Sequence, residues 1–163
     1  MSKRNFIGYG NNPPNPKWPN KSRIAVNFVI NVEEGSEYSP IYGNENSESG
    51  LSEVPGGRHK NKQRDLGIES IYEYGSRSGF WRIVSIFDNY KIPVTYFACA
   101  EALLKNHKIT AYIKNSNNDV CGHGYRWTEH YKMTKKIEEK NISKAYDLIY
   151  QLTGKKILGW YCR

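Results

Sequence analysis

The sequence has no long apolar run. Its longest nearly apolar stretch, residues 24–32, is interrupted by Asn27 and Asn31, whereas a membrane-spanning helix needs roughly 20 apolar residues. Two positive charges lie near the N-terminus, but glycines and an Asn/Pro cluster at residues 11–16 follow them instead of an apolar signal segment. We therefore expect no membrane span, no export signal and a cytoplasmic location.

Cysteine is also scarce. The three cysteines, Cys99, Cys121 and Cys162, are odd in number and widely spaced, which suits neither a disulfide framework nor a paired zinc motif. We expect reduced thiols. Aromatic residues, by contrast, make up 13% of the 163 residues, which favours a folded chain over a disordered one in spite of a mean hydropathy of −0.75.

Acidic residues are outnumbered, with 24 Lys and Arg against 16 Asp and Glu and a net charge of +8. Such a charge attracts nucleic acid or anionic surfaces. However, lysine outnumbers arginine, its excess is spread along residues 105–156, and no aromatic RNA-binding motif is present. We expect neither a nucleic-acid nor a membrane partner. A basic binding module is an alternative supported by charge alone, and it predicts salt-sensitive binding.

The chain length predicts one domain over residues 1–163, or a piece of one. Residues 23–32 are rich in β-branched and aromatic residues, which indicates a buried strand of a parallel sheet. About thirty polar residues follow, up to Asp65. Since so long a loop within a compact domain is usually functional or disordered, we interpret residues 33–65 as an active-site loop.

Helices and strands alternate after this loop. A helix is predicted over residues 76–90, with Ser76 or Ser78 as its N-cap, and another over residues 137–152, ending at Gly154. Between and beyond these helices the sequence predicts strands at 93–99, 119–122 and 157–161 and short helices at 101–106 and 111–114. This order predicts an α/β fold with parallel strands.

The predicted fourth strand lies at the end of the sequence, whereas a closed (β/α) barrel takes about 250 residues. We therefore expect the N-terminal half of a barrel. An open parallel edge exposes unpaired backbone, which favours self-association or a separately encoded C-terminal half. For the isolated chain, we expect an incomplete site and favour a non-catalytic remnant over an active enzyme.

Polar and aromatic residues cluster where the predicted strands end, which is where parallel α/β proteins collect catalytic groups. Glu33 and Glu34 could act as a general base and an orienting group, although such a pair is more often a solvated turn. His123 could be an acid, a base or a metal ligand, or a structural histidine. A second metal ligand would be expected four residues further on, at Trp127, and because indole cannot ligate a metal this argues against a mononuclear site.

Several ordered motifs, taken together, resemble a known family. They are Ile7-Gly8-Tyr9-Gly10, Trp18-Pro19, residues 23–35, Ser47-Glu48, Leu51-Ser52-Glu53, residues 70–82, Pro93-Val94-Thr95, residues 123–127, Leu152-Thr153-Gly154 and Gly159-Trp160-Tyr161. The chain resembles the N-terminal half of the polysaccharide-deacetylase superfamily (NodB homology, carbohydrate esterase family 4). Within it, the cofactor-independent allantoinase branch is most similar. The resemblance implies half of a deformed (β/α) barrel of the glycoside hydrolase/deacetylase type.

Metal-dependent members of this superfamily use an Asp-Asp pair after the first strand and a His-x-x-x-His motif after the third. Here Glu33 and Glu34 stand near the Asp pair, His123 at the first histidine and Trp127 in place of the second. The resemblance therefore implies no metal cofactor, with a residual divalent ion at His123 left open. It implies hydrolysis of a cyclic amide, allantoin to allantoate, with an N-acetyl-sugar as the alternative substrate.

The resemblance also suggests roles for individual residues. Glu33 or Glu34 would activate water, and His123 would protonate the leaving nitrogen or stabilise the oxyanion. The substrate-binding residues predicted from it are Glu53, Arg126, Trp127, Trp160 and Tyr161. Relatives continue after Gly-Trp-Tyr with Gly-Arg and further strands, whereas this sequence has Cys162-Arg163.

Overall fold

A computed structural model of the chain describes residues 4–50 and 62–163. Three parallel strands form its sheet in the order β1–β2–β3. The strands are β1 (Phe28–Val32), β2 (Val94–Ala98) and β3 (Asp119–Gly122). The helices are α1 (Leu66–Tyr74), α2 (Phe80–Tyr90), α3 (Ala100–Lys105), α4 (His107–Asn115) and α5 (Lys135–Thr153). The parallel pairing confirms the predicted α/β class.

The first strand is shorter than its sequence pattern predicts. β1 begins at Phe28, which pairs with Val94, the first residue of β2, and residues 23–27 are exposed. Pro93 directly precedes β2. Because proline has no backbone N–H, it cannot donate the hydrogen bond that would continue the β1–β2 ladder toward residue 23. The prediction of a strand from residue 23 is therefore wrong by five residues.

One face of the sheet is covered by helices. Alternate residues of β2 are buried there, with Tyr96 fully inaccessible to solvent. α5 packs against α3, α4 and β3 and contributes Ile149 to the core. α5 ends at Gly154, whose φ of 73° lies in the left-handed region. The predicted C-terminal glycine of this helix is thereby confirmed.

The helical segment that contains the predicted helix 76–90 begins earlier, at Leu66, and consists of α1, a π-helical turn and α2. α1 starts after Asp65, whose carboxylate accepts the Ile68 N–H at 3.1 Å. The π-helix Gly75–Gly79 then connects α1 to α2. Both serines lie inside this π-turn, so the predicted N-caps are wrong. A π-turn inserts an extra residue and shifts the phase of the apolar stripe, which hides the continuity of the helical segment from a 3.6-residue pattern.

The predicted fourth strand is present only as a single bridge. Gly122 pairs with Trp160 in parallel. The Gly122 N–H donates to the Gly159 carbonyl at 3.1 Å, and the Tyr161 N–H donates to the Gly122 carbonyl at 2.9 Å. This bridge nevertheless brings the Gly-Trp-Tyr motif beside the end of β3. Both short helices are confirmed, although α4 begins at His107 rather than at residue 111.

The prediction of a single domain over residues 1–163 stays a prediction. No helix in the described ranges is both long and apolar enough to cross a membrane. The structure describes residues 33–50 and 62–65 of the long polar loop, and the first of these stretches contains a short 3-10 turn, Pro40–Tyr42. Glu53 and the rest of residues 51–61 lie outside the described residues.

Gly122→Ala is expected to destabilise the protein, because an added Cβ would lie 2.5 Å from Cε3 of Trp160. Such overpacking costs about 1–3 kcal/mol, and displacement of Trp160 should change the tryptophan emission. Urea unfolding followed by fluorescence measures both effects. Gly154→Ala is the control, because its Cβ meets nothing within 4 Å and the backbone strain alone costs about 1 kcal/mol. Native emission unchanged in both variants would contradict the packing argument.

Candidate functional site

The candidate site lies at the carboxyl edge of the sheet, as the sequence predicts. Glu33 directly follows β1 and His123 directly follows β3. The Cys99 N–H donates to the Val32 carbonyl and the His123 N–H to the Ala98 carbonyl, both at 3.0 Å. These hydrogen bonds extend the ladder beyond the strands and hold the two site residues in register on either side of β2.

Glu33 and His123 form a buried contact, with Glu33 Oε1 2.7 Å from His123 Nε2. The residues are only 8% and 2% exposed. His123 Nδ1 lies 2.6 Å from the Tyr161 carbonyl oxygen, and the Asn31 amide donates to the same Oε1 at 2.9 Å. Because a carbonyl can only accept and Oε1 already accepts from Asn31, we assign hydrogens to both ring nitrogens. His123 is then a cation paired with the Glu33 carboxylate.

The surroundings of His123 shift its pKa in opposite directions. Burial lowers the pKa, but the hydrogen bonds to Glu33 and to the Tyr161 carbonyl raise it, and the net result is a pKa above the ordinary histidine value. An imidazolium is a proton donor. Because both ring nitrogens donate to acceptors of the protein, the imidazolium can pass on a proton only to a group that displaces the Glu33 carboxylate or the Tyr161 carbonyl.

Glu34 is oriented differently from Glu33. Its Oε2 accepts the Glu33 N–H at 3.2 Å, and its Oε1 lies against Gly75, the first residue of the π-turn, where any Cβ would collide with it. Burial raises the pKa of Glu34. The residue also lines a cavity of about 330 Å³ together with Glu33. A carboxylate with a raised pKa beside a cavity is suited to accept a proton.

Trp127 is buried beside the loop that follows β1. Its backbone N–H donates to the Ser36 carbonyl at 3.1 Å, and the residue is 7% exposed. The Arg163 guanidinium stacks over the ring at 3.8 Å, and the Tyr72 ring lies 6.4 Å away. In this structure Trp127 therefore serves as a packing surface for Arg163 and Tyr72.

The charge of Arg126 is paired with Glu101 on α3. Its Nε lies 2.8 Å from Glu101 Oε2, and its Nη2 donates to the Glu37 carbonyl and to Asn44 Oδ1, both at 2.8 Å. These contacts tie the loop after β1 to α3. The structure does not bring the Arg126 guanidinium into hydrogen-bonding contact with Glu33 or His123, so its observed contacts are those of a loop anchor.

Tyr161 contacts the site through its backbone and through its ring. Its carbonyl binds His123, and its ring lies 4.9 Å from Phe97 and 5.1 Å from His123. The Trp160 ring instead packs over Gly122, 6.3 Å from His130. Of these two predicted residues, only Tyr161 meets the Glu33–His123 pair directly.

Sequence reasoning missed two features. Asn31 carried a signal, because an amide in an otherwise apolar strand is unusual, whereas Glu48 was noted only as part of the Ser47-Glu48 motif. Glu48 is 2% exposed and binds Arg163 in a bidentate ion pair at 2.8 and 2.9 Å. It also accepts the N–H groups of Ser49 and Gly50. This pair fastens the loop beside Trp127.

The donors at this site do not fit a divalent metal ion. Trp127 offers no ligand atom, and both ring nitrogens of His123 are engaged in hydrogen bonds. Within residues 4–50 and 62–163, no group of three His, Cys, Asp or Glu residues is arranged to hold a metal. Independence from metal stays a prediction, and no chemical step is derived through an ion.

The fold and site define a class: a parallel α/β protein of βα units with a buried carboxylate–imidazole pair at the carboxyl ends of its strands. The model of the polysaccharide deacetylase family matches residues 60–162. The chain therefore belongs to the polysaccharide deacetylase family, as its motifs predict.

Two curated proteins are similar to the chain. A Schizosaccharomyces pombe (strain 972) protein named for the polysaccharide deacetylases is 38% identical, with 97% of this chain and 51% of the relative covered. The peptidoglycan deacetylase of Helicobacter pylori (strain 26695) is 29% identical, with 84% and 41% covered. The chain thus spans about half the length of these relatives, or less.

Two crystal structures are similar in fold as well as in sequence. PuuE allantoinase is 40% identical, with a TM-score of 0.90 over 99% of this chain and 53% of that chain. A Pseudomonas aeruginosa PAO1 protein named for the polysaccharide deacetylases is 39% identical, with a TM-score of 0.90 over 98% and 53%. These matches confirm the predicted α/β fold as about half of the related structures.

Stability should depend on pH through His123. Because its folded-state pKa is raised, its contribution is fully present below the unfolded value of about 6.5 and is lost as pH rises through the folded-state pKa. We expect urea unfolding between pH 6 and 9 to show a free energy of unfolding that falls with pH. Glu33→Gln should flatten this dependence, whereas His107→Asn, at an exposed position, should keep it. A wild-type curve as flat as that of Glu33→Gln would contradict the ion-pair assignment.

Arg163→Ala should destabilise the loop by leaving Glu48 buried without its cation. Breaking a buried pair costs about 3–5 kcal/mol, and the two N–H groups that remain on Glu48 reduce the expected loss to about 2 kcal/mol. Arg64→Ala is the matched control, because Arg64 is 52% exposed in its pair with Glu69 and such pairs contribute about 0–1 kcal/mol. Chemical denaturation measures both losses, and equal losses would count against the anchoring role.

Proposed function

We propose that the chain carries the acid–base half of a hydrolase that cleaves carbon–nitrogen bonds other than peptide bonds, with a small cyclic ureide such as allantoin as its substrate. The observation that carries this proposal is the buried His123 cation held between Glu33 and the Tyr161 carbonyl. The 40% identity to PuuE allantoinase over 99% of the chain supports the ureide.

Hydrolysis of an amide needs a base for water, a donor for the carbonyl oxygen and an acid for the leaving nitrogen. Glu33 already accepts hydrogen bonds from Asn31 and His123, so its role is to hold the imidazolium. Glu34 lines the cavity and has a raised pKa, so we assign it the role of general base. His123 is the general acid, and its proton reaches the leaving nitrogen when that nitrogen displaces the Glu33 carboxylate from Nε2.

In the proposed reaction, Glu34 takes a proton from water as the water oxygen bonds to the ring carbonyl carbon. The tetrahedral intermediate then expels the ring nitrogen, which receives the His123 proton as the carbon–nitrogen bond breaks. The products are an open-chain carboxylic acid and a terminal N–H. The proton on Glu34 passes to solvent, and His123 is reprotonated.

An N-acetyl-sugar is the alternative substrate, since its deacetylation breaks the same kind of bond and the Helicobacter pylori relative is named as a peptidoglycan deacetylase. Two observations favour the ureide. The cavity beside Glu33 and Glu34 measures about 330 Å³, at the small end for ligand pockets. Trp127 also removes the second histidine that the metal-dependent deacetylases use. A small ureide fits the proposed cytoplasmic location.

A second half of the barrel is proposed as the partner, supplied either by self-association or by a separate C-terminal chain. β1 pairs on one side only among the described strands, and Phe28 and Val29 on it are 42% and 40% exposed. Parallel strands are normally covered on both faces. A non-catalytic remnant is the competing reading of the same open edge.

Light scattering after gel filtration, with near-ultraviolet circular dichroism, tests whether the chain associates with fixed aromatic packing. Hydrolysis of allantoin and of N-acetylglucosamine oligomers is then measured with and without a chelator, for the chain alone and mixed with the C-terminal half of PuuE allantoinase. Chelator-resistant allantoin hydrolysis by either sample supports the proposal. A polydisperse, inactive chain in both samples overturns it in favour of the remnant.

Glu34→Gln is expected to lower kcat for ureide hydrolysis by about 10²–10⁴-fold, because the base is lost while the shape is kept. Glu33→Gln should also lower kcat and move the acidic group in the pH–rate profile to a lower pKa. Steady-state kinetics measure both. Glu139→Gln on α5, whose side chain is 65% exposed, is the control and should leave kcat unchanged. Full activity in both Glu33→Gln and Glu34→Gln would refute the mechanism.

A further inference from the structure

Tyr72 in the last turns of α1 has a buried hydroxyl without a partner. Its oxygen is inaccessible to solvent. Within the described part of the chain, the hydroxyl neither donates nor accepts a hydrogen bond. The ring itself packs against the core. A buried phenol without a hydrogen bond is unfavourable, and buried polar groups in native proteins almost always have partners. The hydroxyl therefore calls for a ligand or a functional explanation.

The position of Tyr72 supplies that explanation. It lines the cavity of about 330 Å³ that Glu33 and Glu34 border, and a second cavity of about 220 Å³ that Glu34 also lines. Its ring lies 6.4 Å from that of Trp127. The unpartnered hydroxyl thus belongs to a residue that faces the same space as both carboxylates of the proposed site.

The electrostatic surroundings keep this hydroxyl protonated. Burial and the charges of Glu48, Glu33 and Glu37 raise the pKa of Tyr72 well above its ordinary value of 10. None of these carboxylates accepts a hydrogen bond from it. A neutral phenol with a free O–H is a donor for a carbonyl oxygen, and its donation strengthens as that oxygen gains negative charge.

We propose that Tyr72 is a substrate-binding and catalytic residue whose hydroxyl donates a hydrogen bond to the carbonyl oxygen of the carbon–nitrogen bond that is hydrolysed. It supplies the oxyanion donor that Glu34 and His123, as base and acid, do not provide. This inference rests on the proposed function and adds a specificity element, because a ligand without a carbonyl oxygen leaves the buried hydroxyl unpaired.

Tyr72→Phe tests the proposal, because it removes the hydroxyl and keeps the ring. Binding of hydantoin, a cyclic ureide, to the full chain is measured by isothermal titration calorimetry, and thermal stability is measured in parallel. Hydantoin affinity should fall at least 10-fold. The melting temperature should not fall, because the free protein loses no hydrogen bond.

Tyr112→Phe is the matched control. The Tyr112 hydroxyl donates to Asp88 at 2.6 Å, away from the site. Its removal should lower the melting temperature and leave the hydantoin affinity unchanged. The two tyrosines are thus expected to show opposite patterns of stability and binding, which a merely structural role for Tyr72 would not produce.

The possible outcomes distinguish the role of Tyr72 from the proposed function. Undiminished hydantoin affinity in Tyr72→Phe, or a loss of stability like that of Tyr112→Phe without a loss of affinity, overturns the inference and leaves the proposed function in place. No hydantoin binding by the wild-type chain, either alone or mixed with the C-terminal half of PuuE allantoinase, overturns the proposed function, and the inference with it. Weakened binding with unchanged stability supports both.

Discussion

The buried contact between Glu33 and His123 connects parts of the chain that have little else in common. A carboxylate and an imidazolium are each costly to bury alone, and each offsets that cost for the other. Asn31 on β1 and the Tyr161 carbonyl complete the chain of hydrogen bonds. The ends of β1 and β3 and the Gly-Trp-Tyr segment are thereby held at fixed distances across β2, and the proposed chemistry depends on that spacing.

Two further elements support this arrangement. The π-turn brings Gly75 against Glu34, and a side chain at this position would displace the Glu34 carboxylate from its observed place. Arg163 binds Glu48 and stacks on Trp127. Two carboxylates around the site are thus paired with cations, Glu48 with Arg163 and Glu101 with Arg126.

Much of the fold could be predicted from residue patterns. β3 and α5 were predicted nearly to their observed bounds, because a short apolar strand and a long amphipathic stripe with a terminal glycine are local signals. The π-turn could not be predicted, since it breaks the period on which the prediction rests. The fourth strand was reduced to one bridge, at which the Trp160 ring lies directly over Gly122. Pairing of this kind is decided by tertiary packing rather than by β-propensity.

The sequence by itself determined the family, the α/β class and the choice of Glu33, Glu34 and His123 as candidate site residues. Strand ends and family motifs can be recognised from short stretches of sequence. Only the tertiary structure decided how these residues are used. Glu33 and His123 are 90 residues apart in the chain, and the partner of the second ring nitrogen is a backbone carbonyl, which has no sequence signature. Whether a hydroxyl such as that of Tyr72 is buried without a partner depends on every group around it, and only the packed structure brings those groups together.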